Sequence, residues 1–156
     1  MTFAWIWKEA RLFTMALDRL KTMLFVDDRT KRLEWAQRNL SISNGIQLTI
    51  ATNVKEALRL LSARDWDRVS LDHDLTGIDF EDPDTPTCGM EIVRYIEKCG
   101  WPTARQKPEF SIHSSNLFAV QLMTTRLKTM GFICWYMPII YEKTNMAYDE
   151  KGIPNG

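Results

Sequence analysis

The chain has 156 residues, 45% of them hydrophobic, which suits one domain with a real core and excludes a largely disordered protein. Twenty basic residues balance twenty acidic ones, so a formal charge of zero gives no electrostatic basis for general nucleic-acid binding, although a small anionic ligand needs only a local site. The three cysteines, Cys88, Cys99 and Cys134, are odd in number and lack metal-ligand spacing, which argues against a disulfide framework and for a reducing, cytoplasmic setting.

Residues 3–20 read as a helix, because Ile6, Ala10, Phe13, Leu17 and Leu20 recur at helical spacing and form one apolar stripe. Trp5 and Trp7 widen that stripe, so the helix is expected to pack on the domain, with a homodimer contact or a membrane surface as alternative uses. No basic segment precedes it as in a signal peptide, and no apolar run in the chain reaches the ~18 residues a membrane span needs. A strand is predicted at about 22–27, then a helix at about 30–40 with Leu33, Ala36 and Leu40 inward. Ser43-Asn44-Gly45 marks a turn, and Ile46, Leu48 and Ile50 alternate with polar residues as in a half-buried edge strand. Asn53 with Glu56 resembles a capping box, and the helix it opens runs to about Ala63, burying Val54, Ala57, Leu58 and Leu61. A short strand, Arg68–Leu71, follows.

Residues 76–88 break the rhythm: Thr76-Gly77 and the Pro-containing run 81–86 continue neither strand nor helix. They predict a surface loop over the sheet's carboxyl edge, serving as a plain connection or as a lid. A helix from about Gly89 to Lys98 buries Met90, Val93 and Ile96, and Gly100-Trp101-Pro102 ends it. Then come a strand at Glu109–Ile112, a helix at about 116–130 carrying Val120, Met123, Leu127 and Met130, and a strand at Phe132–Tyr136. From Glu142 the Asn, Pro and Gly content predicts a mobile tail. The expected organisation is an N-terminal helical extension (1–21), an α/β domain (22–141) and a tail (142–156). Strict alternation of strands and helices implies a parallel sheet with right-handed crossovers and helices on both faces.

Three motifs fall at strand ends: Asp27-Asp28, Leu71-Asp72-His73-Asp74-Leu75 and His113-Ser114-Ser115-Asn116. Open α/β sheets bind ligands at that carboxyl edge. Carboxylates gathered there repel by roughly 4 kcal/mol per pair at ~4 Å and an effective dielectric near 20, so a cation, a shared proton or a basic partner must offset them. Each motif also has a plain alternative. Asp27-Asp28 suits an ordinary strand-to-helix turn, Asp72 and Asp74 can cap loop amides, a histidine on a strand is usually structural, and Ser115 or Asn116 suits a helix N-cap.

The pattern from about Thr22 to Pro138 resembles a receiver domain, the phospho-acceptor module of two-component signalling. The resemblance implies a five-stranded parallel sheet of order 2-1-3-4-5, an acidic pair at Asp27-Asp28 that helps hold Mg²⁺, and a phospho-acceptor at Asp72. It further implies a metal contact through the backbone carbonyl of Asp74 and a fourth-strand hydroxyl at Ser114. The chain departs from the pattern where Met137 precedes Pro138, a position at which receivers carry lysine. Asp27-Asp28-Arg29, the Leu-Asp-His-Asp-Leu run and His113-Ser114-x-Asn116 together are more similar to the receiver-like family called cyclic-phosphate processing receiver domains, found in bacteria and phages.

Asp27, Asp28 and Asp72 are hard oxygen ligands suited to Mg²⁺ or Mn²⁺. His73 and His113 are expected to move protons beside Asp72, and Arg29, Ser114 and Asn116 to contact phosphate. Three functions are therefore expected to compete. The first is a metal-assisted phosphoesterase acting on a cyclic phosphate or related nucleotide. The second is a receiver accepting phosphate at Asp72, and the third a nucleotide-binding module without catalysis.

Overall fold

The computed structural model describes residues 20–139, so the N-terminal helix expected at 3–20, save its last residue Leu20, and the tail from 142 lie outside the described residues. Within them the chain runs β1 (Lys21–Val26), α1 (Thr30–Asn39), a short 3-10 turn (Ile42–Asn44), β2 (Ile46–Ala51), α2 (Val54–Ala63), β3 (Arg68–Leu71), α3 (Met90–Cys99), β4 (Glu109–Ile112), α4 (Leu117–Thr129) and β5 (Cys134–Tyr136). All strand pairs are parallel and the sheet order is 2-1-3-4-5, as expected. The half-buried strand, β2, does lie at an edge.

Alternation along the strands sends successive side chains to opposite faces. Leu24 and Val26 of β1, Val69 and Leu71 of β3, and Phe110 and Ile112 of β4 enter the larger core, with Val54, Ala57 and Leu61 of α2, Met90, Val93 and Ile96 of α3, and Val120, Met123 and Leu127 of α4. Met23 and Phe25 face the other way, onto Ala36 of α1. This second face is polar further along: Ser70 and Ser111 are buried, and their hydroxyls hydrogen-bond at 2.9 Å.

Local chemistry sets several boundaries. Asn53 caps α2 by accepting from the Glu56 amide at 2.9 Å, while the Glu56 carboxylate reaches back to the Thr52 amide at 3.1 Å, one residue before the usual partner. Asn116 caps α4 by accepting from the Ala119 amide at 3.1 Å. The last strand is shorter than expected, because Phe132 leaves the ladder to pack edge-on against Trp101 and Phe110. All three cysteines are free, and among the described residues no helix is long and apolar enough to cross a membrane.

Candidate functional site

Each of three strands extends its ladder by one residue into a site motif. The Asp27 amide donates to the Ala51 carbonyl, the Asp72 amide to Val26 and the His113 amide to Leu71, at 3.1, 2.9 and 3.0 Å. Alternation therefore continues past the strands. It places Asp27, Asp72 and His113 on the face of Phe25, Ser70 and Ser111, and turns His73 to the opposite face.

The His113 ring stacks on Phe25 with centroids 4.4 Å apart. Its Nε2 lies 3.0 Å from Asp27 Oδ2 and its Nδ1 lies 2.7 Å from the Ser70 hydroxyl. His73 is wholly buried, with Nδ1 at 2.7 Å from Asp74 Oδ1. Burial opposes charge on this ring, but the neighbouring Cys88 and Asp74 outweigh it and raise its pKa above the ordinary histidine value. The two imidazoles expected to serve one reacting ligand thus have separate surroundings, and both are buried.

Carboxylate oxygens of Asp27, Asp28 and Asp72 come within 4.8 Å of one another. A residue that the sequence reading passed over crosses this group. Arg32 of α1 is buried, its Nε 3.0 Å from Asp27 Oδ2 and its Nη2 2.6 Å from Asp72 Oδ2, while Nη1 donates to the His113 carbonyl at 3.3 Å. Its signal was present: Arg32 stands one turn before Ala36, so it lies on the buried stripe of the helix. Backbone amides take the remaining oxygens of the two bridged carboxylates. Asp27 Oδ1 accepts from Arg29 at 2.8 Å and Asp72 Oδ1 from His73 at 2.8 Å. Asp72 nonetheless has a raised pKa: burial is the main cause, and Asp27 adds to it against the opposing pull of His113 and Arg32.

The 76–88 segment does lie over this edge, and it is tied down. Gly77 donates its amide to Asp28 Oδ2 at 2.6 Å, and Arg29 pairs with Asp79. The Asp74 carboxylate accepts from the amides of Phe80 and Glu81 at 3.0 and 3.1 Å, so that side chain is committed to the loop and stands outside the acidic cluster. Glu81 in turn accepts from the Leu75 amide at 2.8 Å, and Arg94 donates to the Thr85 carbonyl at 2.7 Å. The loop closes onto β3 through the Gly89 amide, which donates to the His73 carbonyl at 2.7 Å. A Cβ on Gly89 would stand 2.0 Å from the Asp72 carbonyl oxygen, so only glycine allows this approach.

A cavity of about 290 Å³ opens beside the carboxylates, lined by Arg29, Arg32, Asp79, His113, Ser114, Ser115, Tyr136, Pro138 and Ile139. Of the expected phosphate contacts, Arg29 and Ser114 border it, while the Asn116 side chain is taken up by the α4 cap and by Glu81. Two buried donor or acceptor atoms here lack partners, Arg29 Nε and Asp28 Oδ1. Three carboxylates against one guanidinium leave a negative excess, and the unpartnered Asp28 oxygen belongs to that group. The donor set therefore fits a hard divalent cation.

The comparisons with known proteins agree with this architecture. A response regulator receiver domain (CheY-like) from Methylobacillus flagellatus is similar at 20% identity and TM-score 0.57, over 79% of this chain and 89% of that one. A response regulator from Thermotoga maritima, solved in complex with Mg²⁺-BeF, is similar at 20% identity and TM-score 0.55, over 80% of this chain and 90% of that one. One from Burkholderia pseudomallei, solved with a phosphorylated aspartic acid, calcium ion and citrate, is similar at 16% identity and TM-score 0.55; this chain covers 61% of it, with 78% of its own length aligned. No curated protein sequence matches the chain. The profile described as "Cyclic-phosphate processing Receiver domain" matches residues 22–129, more than half of the sequence, and the chain belongs to that family.

Proposed function

We propose that the chain is a receiver-type phosphoryl-handling module in which Asp72 accepts a phosphoryl group beside a divalent cation held by Asp27, Asp28 and Asp72. The observation that carries this reading is the cluster itself, three carboxylates within 4.8 Å with one buried oxygen unpartnered. The similar proteins solved with a phosphorylated aspartic acid and with Mg²⁺-BeF lend it chemical precedent. When bound, Mg²⁺ or Mn²⁺ would supply neutralising charge to the carboxylates and to phosphoryl oxygens. An Asp72 oxygen attacks the phosphorus of an acyl phosphate, the bond from phosphorus to the acyl oxygen breaks, and a carboxylate leaves without any net proton transfer. His113 holds Asp27 in place through Nε2, and the Asp74 carboxylate holds the covering loop, as positioning groups.

Incubation with acetyl phosphate and Mg²⁺ tests the reading by intact mass. One added phosphoryl group is expected, absent in Asp72→Asn; no increment with the wild type overturns it.

A second reading, hydrolysis of a cyclic phosphate, is favoured by the family's description and by the cavity, which exceeds a lone phosphoryl group and is bordered by Arg29 and Ser114. Turnover of a cyclic-nucleotide panel with Mn²⁺, lost in Asp72→Ala, supports it. Identical traces for the two proteins dismiss it.

A further inference from the structure

The acidic cluster already has a resident counter-charge. Every oxygen of Asp27 and Asp72 has a donor: the amides of Arg29 and His73 on one oxygen of each, and the Arg32 guanidinium on the other, joined on Asp27 by His113 Nε2. Only Asp28 Oδ1 is without one. Each carboxylate oxygen can accept twice, and both positions of Asp27 Oδ2 are filled, by Arg32 Nε and by His113 Nε2, each at 3.0 Å, so a divalent cation that engages that oxygen displaces one of them. The two amides are fixed by the backbone at the ends of β1 and β3, and the His113 ring is held by its stack on Phe25 and by Ser70, whereas the guanidinium ends a flexible side chain. Arg32 is the donor able to leave.

The structure also offers it a destination. Arg32 itself borders the cavity, together with Arg29, Ser114, Ser115 and Tyr136. Without an anion there, moving a second guanidinium toward Arg29 brings like charges together and gives up two buried ion pairs. With a tetrahedral oxyanion present, the planar guanidinium gains a bidentate partner, and Arg29 Nε gains the acceptor it lacks.

We infer that Arg32 is a displaceable counter-cation, held on Asp27 and Asp72 in the empty protein and drawn into the adjoining cavity by a phosphoryl oxyanion, so that oxyanion and divalent cation bind cooperatively. The inference rests on the cation-site reading given above and adds a coupling residue to it. Linkage makes the coupling reciprocal: phosphate tightens Mg²⁺ by the same factor that Mg²⁺ tightens phosphate.

The test is calorimetric titration of the full chain with Mg²⁺, with and without inorganic phosphate, corrected for Mg²⁺–phosphate association in protein-free runs. In the wild type, phosphate is expected to tighten Mg²⁺ about tenfold, within the usual range of coupling between sites. Arg32→Met, which keeps an unbranched apolar stem and removes charge, is expected to bind Mg²⁺ alone about tenfold more tightly and to lose the phosphate dependence to within about twofold. Should Arg32→Met fail to fold, Arg32→Gln carries the test, since its amide keeps a hydrogen bond to a carboxylate without the charge; tighter Mg²⁺ and a weakened phosphate effect are expected. Mg²⁺ affinity that is blind to phosphate in the wild type, or unaltered or weaker in the Arg32 variants, overturns the inference while leaving the cation site standing. Absence of Mg²⁺ binding to wild type and Arg32→Met alike overturns the site reading itself.

Discussion

Asp72 carries a charge that its burial opposes, and that opposition is measurable. Its folded pKa lies above the ordinary aspartate value of 3.8, so folding takes up a proton there. The group's contribution to stability is thus fully present below 3.8 and is lost as pH rises through the raised folded value. Asp72→Asn keeps an oxygen for the His73 amide and removes the charge. With cations chelated, its stability relative to the wild type is expected to be greatest near neutral pH, where the raised pKa opposes the charged form. Thermal unfolding of both proteins across acid to neutral pH checks this: the variant's advantage should shrink toward pH 4, and an advantage independent of pH would dismiss burial as its cause. At this scale the sequence was legible where a period of two applies. Alternation from Phe25 through Asp27, and from Ser70 through Asp72, brings those carboxylates to one face. Arg32 was not read because α1 was judged by its apolar residues, although a charged residue one turn from Ala36 falls on the buried stripe. The partners of His73 and Asp74 were equally hidden, since they depend on where a loop without periodicity returns.

That loop is the element on which the site's shape depends. Residues 76–88 were recognisable as irregular from their Gly and Pro, and their position over the edge was expected. Their fixation comes from long-range pairs such as Gly77 with Asp28 and Arg29 with Asp79, which no local pattern encodes. Ile78 and Phe80 are exposed on it, Phe80 with a positive φ of 59° that its own and the Glu81 amide's bonds to Asp74 sustain. Gly89 closes the loop, and its missing Cβ is the space occupied by the Asp72 carbonyl. Gly89→Ala must push β3 and α3 apart, because both contacting groups are backbone. We expect a loss of about 2 kcal/mol, the middle of the range for overpacked sites, with faster amide exchange at His73 and Gly89. Unchanged exchange at those amides would show that the backbone accommodates the methyl group elsewhere.

Across the whole molecule, alternation of strands and helices implied a parallel sheet but did not order it; the order 2-1-3-4-5 came with the family resemblance and is the observed one. The order matters because it sets β1 between β2 and β3, so that the two aspartate-bearing strand ends adjoin. A cation bound across Asp27, Asp28 and Asp72 then joins the ends of β1 and β3 in the folded state, whereas the unfolded chain separates those residues by more than forty positions. Binding to the folded state alone stabilises by about 2.7 kcal/mol at a ligand concentration a hundredfold above Kd. For a chain of this length that is a rise in Tm of roughly 8 °C. Asp28→Asn is the informative control, because Asp28 contributes the one unpartnered oxygen of the cluster without pairing to Arg32. Its amide keeps an oxygen for Gly77 while the cluster loses a charge, so the variant should unfold near the wild-type temperature without Mg²⁺ and gain little with it. An equal gain in both proteins would place the ion elsewhere, since a site built on these three carboxylates cannot lose one of three charges and bind as before.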